Sequence, residues 1–287
     1  MSRNYLAIAL TAAALIVVPA QPAAAIAHGD HVPAGKYGFA TKLTMTGIPT
    51  TDGGTRDSWC SGALIAPRWV ITAGHCFRDA AGKRVSRTVA HRTTATLKGR
   101  EAEVIAAYQA PDNDDVALAE LDAPITGVAP IRLGATPPRV GDVLRLTGYG
   151  LTTGDESAGS PGLRTGLFVV GQVRDSLLDV SGRRPRRDTS ACLHDSGGPY
   201  FSEAKDGTAT LRAVVSTGPG CPHPGADFAA RTDQLGSWIA YTTSQESAGS
   251  RYTPILVGVG LVIALAVVTA LALTLRRGGR RAGARRF

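Results

Sequence analysis

Apolar positions cluster in two long uncharged runs and in many short runs between them. The first long run covers Leu6 to Val18, 13 residues, with Arg3 before it and Ala23-Ala24-Ala25 after it. A positive start, a short apolar stretch and a small-residue cleavage site predict a secretory leader over residues 1–25. The second long run covers Pro254 to Leu275, 22 residues. At ~1.5 Å per residue a helix of that length crosses a ~30 Å hydrocarbon core. It lacks the polar face that a helix on a soluble core would show. A transmembrane helix is therefore predicted over residues 254–275.

Between these runs, residues 26–242 read as short apolar segments broken by turn signals. Ala63-Leu64-Ile65 stops at Ala66-Pro67, and Trp69-Val70-Ile71, Val143-Leu144-Arg145-Leu146 and Leu211-Arg212-Ala213-Val214-Val215 are similar. Such segments predict strands. One helix is predicted near Asp233 to Tyr241, where Leu235, Trp238 and Ile239 share a face. The fold class is mostly β, barrel or sandwich, with a short C-terminal helix. The body is long enough for a sizeable core or two packed β-units, and no fixed-period repeat is visible. Residues 243–253 are small, polar and aperiodic, as a stalk would be.

The formal net charge is +8, with 31 basic and 23 acidic residues. Six of the arginines lie in residues 276–287 and one in the leader, which leaves 24 basic against 23 acidic residues over residues 26–275. The excess is thus a topology signal rather than a nucleic-acid footprint. The positive-inside rule puts the tail in the cytoplasm and the body outside. The expected form is a monomer held at the cell membrane by one C-terminal helix, with no nucleic-acid partner. Four cysteines, Cys60, Cys76, Cys192 and Cys221, all fall in the body. An even number in an exported chain predicts two disulfides, of which sequence alone allows three pairings. No C-x-x-C spacing points to zinc, and no cofactor or metal is expected.

The chemistry sits in three short motifs. They are Ile71-Thr72-Ala73-Gly74-His75-Cys76, Asp114-Asp115-Val116-Ala117-Leu118 and Asp195-Ser196-Gly197-Gly198-Pro199. A serine hydroxyl is a weak nucleophile until a base takes its proton. A histidine base works best when a carboxylate fixes its tautomer and steadies the imidazolium. His75, Asp115 and Ser196, in that order, point to an acyl-transfer hydrolase.

With these residues assembled, the body resembles the chymotrypsin- and trypsin-like serine proteases from Ile26 to about Ile239. The resemblance implies two antiparallel six-stranded β-barrels with the active site in the cleft between them. It implies the disulfides Cys60–Cys76 and Cys192–Cys221. It gives Ser196 the role of nucleophile, His75 that of general base and Asp115 that of orienting acid, with Asp114 as a solvated neighbour. Gly148-Tyr149-Gly150 resembles the family's Gly-Trp-Gly strand end. Ser216-Thr217-Gly218 resembles the segment that pairs with substrate as an added strand, and Ser216 there also bonds the triad Asp. Ile26-Ala27-His28-Gly29 resembles the family's mature terminus, whose free amine pairs with the Asp before the nucleophile, here Asp195. A cut after Ala25 would expose that amine with no zymogen stage. A cut after Ala20 would instead leave Gln21 to Ala25 as a short pro-peptide.

Two positions depart from the pattern. His194 replaces the glycine whose N–H, with that of Ser196, forms the oxyanion hole. Ser190 stands at the floor of the primary pocket where a basic-specific enzyme has Asp. With Gly218 and Gly225 as open walls, this neutral floor suggests a large apolar or aromatic residue before the scissile bond. The expected protein is an anchored serine endopeptidase acting on peptides or proteins. The alternative is a surface binding protein on the same fold, impaired by His194.

Overall fold

In the computed structural model, the described residues are 25–78, 92–155 and 162–245. The predicted leader as far as residue 24, most of the predicted stalk, the helix predicted at 254–275 and the basic tail lie outside them. Strand β1 (Asp30–His31) leads in. There follow β2 (Ala40–Pro49), β3 (Thr55–Ala66), β4 (Trp69–Thr72), β5 (Arg92–Leu97), β6 (Arg100–Gln109) and β7 (Ala117–Leu121). After β8 (Arg132–Leu133) come β9 (Val143–Gly148), β10 (Arg164–Val173), β11 (Leu177–Arg184), β12 (Pro199–Glu203), β13 (Ala209–Thr217) and β14 (Ala226–Arg231).

These strands close into two six-stranded antiparallel barrels. The first runs β2-β3-β4-β7-β6-β5, and β5 returns to pair with β2. The second runs β9-β10-β11-β14-β13-β12, and β12 closes onto β9. Counted from its own first strand, each barrel has the order 1-2-3-6-5-4. The same topology occurs twice although the sequence shows no repeat. The expected fold class holds, and β1 and β8 only add to the second sheet, on β10 and β13.

Period-two alternation fills each barrel from inside. Leu43 and Met45 on β2, Leu64 on β3 and Ala119 and Leu121 on β7 are fully buried in the first. Leu144 and Leu146 on β9, Phe168 and Val170 on β10 and Leu178 and Val180 on β11 fill the second. The barrels meet through Tyr37, Phe39 and Phe201, whose ring centroids lie 5.2–6.0 Å apart. Edge-on aromatic pairs of this kind add about 0.5–1.5 kcal/mol each beyond their burial. Glu203 closes the seam by accepting from Tyr37 Oη at 3.0 Å and Arg145 Nε at 2.9 Å.

The C-terminal helix covers residues 236–245. It starts later than expected because Thr232 to Leu235 form a turn, Leu235 N–H donating to Thr232 at 3.2 Å. It also continues through residues 243–245, which sequence assigns to the stalk. Leu235, Trp238 and Ile239 pack on the core as their shared face requires. The arginine cluster at 183–187 begins in strand: Arg184 pairs with Leu167 across β10 and β11.

Both disulfides have the implied partners, Cys60–Cys76 and Cys192–Cys221. The first ties β3 to the turn that carries His75, across 16 residues of sequence. A crosslink of that span stabilises by roughly 3 kcal/mol. Replacing both Cys60 and Cys76 by serine should therefore lower Tm by about 10 °C in a domain of this size. Calorimetry of the two proteins checks this, and an unchanged Tm would show that the crosslink constrains little.

Candidate active site

His75 lies in a 3-10 turn, Gly74–Phe77, directly after buried strand β4. Asp115 lies on the loop before β7. Its carboxylate takes two bonds from one residue: His75 N–H donates to Oδ1 and His75 Nδ1 to Oδ2, both at 2.8 Å. Ser216 Oγ donates to Oδ2 at 2.6 Å. Burial by itself would raise the Asp115 pKa, but the bonds from His75 and Ser216 outweigh it and lower it to about 2. An ionised carboxylate only accepts, so Nδ1 carries the proton and Nε2 is left as the basic nitrogen. Asp114 does not take part. It is half-buried beside Ser176 and Arg231, and burial raises its pKa, so it is not the solvated charge that sequence suggests.

Ser196 sits on the loop between β11 and β12, and it lines the same cleft as His75. Among the described residues no hydrogen bond joins its Oγ to the imidazole. Such contacts commonly tighten only when substrate binds. The loop around it is pinned from behind. Ser61 N–H donates to Ser196 O at 2.9 Å, and Gly197 N–H to Val215 O at 2.8 Å. The Leu193 carbonyl accepts from Leu151 N–H at 2.8 Å, and the Asp195 carbonyl from Gly198 N–H at 2.8 Å. In a planar trans peptide the N–H points opposite to its carbonyl. These two bonds therefore fix the directions of the His194 and Ser196 N–H groups together.

His194 adopts φ +72°, the left-handed conformation that a glycine takes without cost. Its ring is held in return. It stacks on Trp59 with centroids 3.6 Å apart and planes 19° from parallel, and Nδ1 donates to Trp59 O at 2.8 Å. Trp59 Nε1 in turn donates to Tyr149 O at 2.8 Å. Sequence reasoning found the departure at His194 but not the tryptophan that accommodates it. Trp59 and His194 are 135 residues apart, and no local pattern couples them.

Asp195 is fully buried. Its Oδ2 accepts from Cys192 N–H at 3.0 Å and from the Ile26 nitrogen at 3.3 Å, and its Oδ1 from Gly150 N–H at 2.8 Å. A Cβ on Gly148 or Gly150 would collide with this carboxylate, which gives both glycines of the strand end a steric reason. Burial drives the Asp195 pKa up to about 7 against the pull of those donors. Ile26 is fully buried too, so the pairing expected from sequence has its geometry in place.

A cavity of about 440 Å³ opens beside His75 and Ser196, between Ala191-Cys192 and Val215 to Gly218. The structure does not place Ser190 on its lining. That residue is 1% exposed, and its Oγ accepts from His223 N–H at 3.3 Å. Asp227, which the sequence analysis does not single out, lines the cavity. Gly225 packs against His223. Among the described residues no group of His, Cys, Asp and Glu is arranged to hold a metal ion.

Comparison with known proteins adds an independent line. A family model described as Trypsin matches residues 26–239. The chain is 26% identical to serine protease 56 of Mus musculus over 226 residues, which cover 70% of this chain and 35% of that protein. It is 30% identical to the suppressor of tumorigenicity 14 protein homolog of Bos taurus over 191 residues, which cover 56% and 22%. The chain thus spans about a third or less of the length of these relatives.

Proposed function

The chain belongs to the trypsin family, and on that premise we propose that it is a serine endopeptidase working through an acyl-enzyme. The observation that carries this reading is the doubly bonded His75–Asp115 pair sharing a cleft with Ser196. Ser196 Oγ attacks the peptide carbonyl while His75 Nε2 accepts its proton. The charge developing on the imidazole is balanced by Asp115, which is ionised throughout the physiological range. His75 then gives the proton to the leaving amine, and water releases the acyl group by the same roles reversed.

The oxyanion is assigned to the N–H groups of His194 and Ser196. The support is that His194 has the backbone conformation of a glycine and that the carbonyls of both peptides are tied off on their far side. The stacked imidazole therefore leaves the hole intact. The substrate is a peptide or protein, held along Ser216 to Gly218 as an added strand. Export by the leader and anchoring by residues 254–275 would place the site outside the cell, and the protein is taken to act as a monomer.

The test is covalent labelling of the full chain, in membranes, with a fluorophosphonate. Wild type should label and Ser196→Ala should not. A folded wild type that begins at Ile26 and stays unlabelled would turn the reading to a binding protein on the protease fold.

A further inference from the structure

We propose that Arg183, Arg184 and Arg187 form an anion site outside the catalytic cleft, and that it takes the phosphoryl group of a phosphate ester. The site stands on geometry and charge, so it holds whether or not the chain cleaves peptides.

The three side chains line one open cavity of about 490 Å³, together with Ser181, Val169 and Pro224. This cavity shares no lining residue with the one beside Ser196. A regular strand would keep Arg183 and Arg184 apart, because successive side chains point to opposite faces. Here the register shifts. Leu167 on β10 pairs with Arg184 and Phe168 with Gly182, so Arg183 is an extra residue on β11. A bulge of this kind bends the strand and re-aims a side chain. It lets two consecutive arginines line the same cavity as Ser181, which pairs with Val169 further along β11.

Other arginines of the second barrel are paired. Arg145 is held by Glu203, Arg174 by Asp179, Arg186 by Asp188 and Arg231 by Asp233, at 2.7–2.9 Å. Among the described residues, the side chains of Arg183, Arg184 and Arg187 have neither a hydrogen bond nor an ion pair. Asp188, the nearest acid in sequence, gives both its oxygens to Arg186 at 2.9 Å. No carboxylate lines the cavity, so three like charges face one volume without compensation. An anion bound there relieves their repulsion.

A guanidinium offers a planar fork of donors that fits carboxylate or phosphate oxygens two at a time. A carboxylate has one charge and two oxygens, too few for three forks. A phosphate monoester carries a charge of about −1.5 to −2 at pH 7 and three strong acceptor oxygens. Ser181 Oγ adds a further donor, and Val169 and Pro224 give the carbon side of the ester an apolar edge.

The experiment titrates the full chain, in a phosphate-free detergent at about 0.15 M sodium chloride, by calorimetry. Glycerol 3-phosphate should bind saturably, one per chain, and at least tenfold more tightly than acetate. Arg184→Gln should weaken it at least fivefold. Arg184→Lys, which keeps the charge and loses the fork, should weaken it at least twofold. Arg186→Gln removes a charge of the same sign from the same segment but does not touch the cavity, and should change the affinity less than twofold. All four arginines are exposed, so these substitutions empty no core, and the comparison with acetate needs no variant. Mixed micelles containing phosphatidic acid give the second arm. Binding there at least tenfold tighter than glycerol 3-phosphate identifies the ester as a lipid headgroup, and equal or weaker binding identifies it as a soluble one. Acetate binding as well as the ester, no saturation, or an Arg186→Gln effect as large as that of Arg184→Gln overturns the proposal. Fluorophosphonate labelling of Ser196 in the same preparation tests the peptidase reading separately.

Discussion

Replacing His75 by alanine is expected to cut kcat for peptide cleavage by ~10⁴-fold or more while leaving KM and the fold nearly unchanged. His75 bonds Asp115 through its backbone N–H and Nδ1, so Nε2 is the atom of the ring left to take the Ser196 proton. Without it the serine stays a neutral alcohol. Ser196→Ala should cost about as much, and the double variant little more, because the two act as one unit. Non-additivity is the diagnostic part. Substitutions that merely loosened the cleft would add, and would raise KM. The side chain of His75 is about a third exposed, so its removal opens no large cavity. Measured kcat, KM and Tm for the four proteins decide the matter. A His75→Ala enzyme that keeps a tenth of its activity would show that another group serves as the base.

The parts of this site that sequence revealed are those whose partners sit within a few residues of a chemical signal. His75, Asp115 and Ser196 each stand in a local motif, and the structure brings the first two into contact and the third into their cleft. Ser216 was legible only through resemblance, and it does bond Asp115. Strand positions followed from alternation, but the doubled barrel order did not. Topology depends on which strands pair, and an alternating pattern is the same for any pairing. The lining of the cavity was only partly legible for a related reason. Asp227 comes from β14, where a lone Asp in a run of small and apolar residues looks like an outward-facing strand position. Its neighbours Gly218, Ala191 and His223 come from three other segments. Trp59 beneath His194 was hidden in the same way: a stacked ring leaves no trace in spacing.

The second large effect concerns the terminus. The fold buries Asp195 with its pKa raised to about 7 while the Ile26 nitrogen is still in a peptide bond. The unfolded value is near 3.8. A carboxylate raised in this way costs stability increasingly from about pH 4 to pH 7, reaching roughly 4 kcal/mol once ionised. At neutral pH the uncut chain therefore holds Asp195 at a penalty that its backbone donors do not cancel. Cleavage after Ala25 would convert the nitrogen 3.3 Å away into an ammonium and reverse the sign. The amine, with an ordinary pKa of about 7.7–8.0, would be raised by the pairing. Its contribution is then complete below that ordinary value and is lost as pH rises through the raised one. Two results are expected. The chain starting at Ile26 should lose activity on the alkaline side with a one-proton dependence. A chain carrying one extra alanine before Ile26 should have kcat/KM lower by ~10²–10³-fold at pH 8, the size of effect seen when an oxyanion-hole donor is lost. The link is the loop itself, because Asp195 accepts from Cys192 N–H and its neighbours His194 and Ser196 supply the hole. Terminal sequencing with a pH profile of kcat/KM reads both outcomes. Equal activity in the extended chain would show that the site is assembled without the amine.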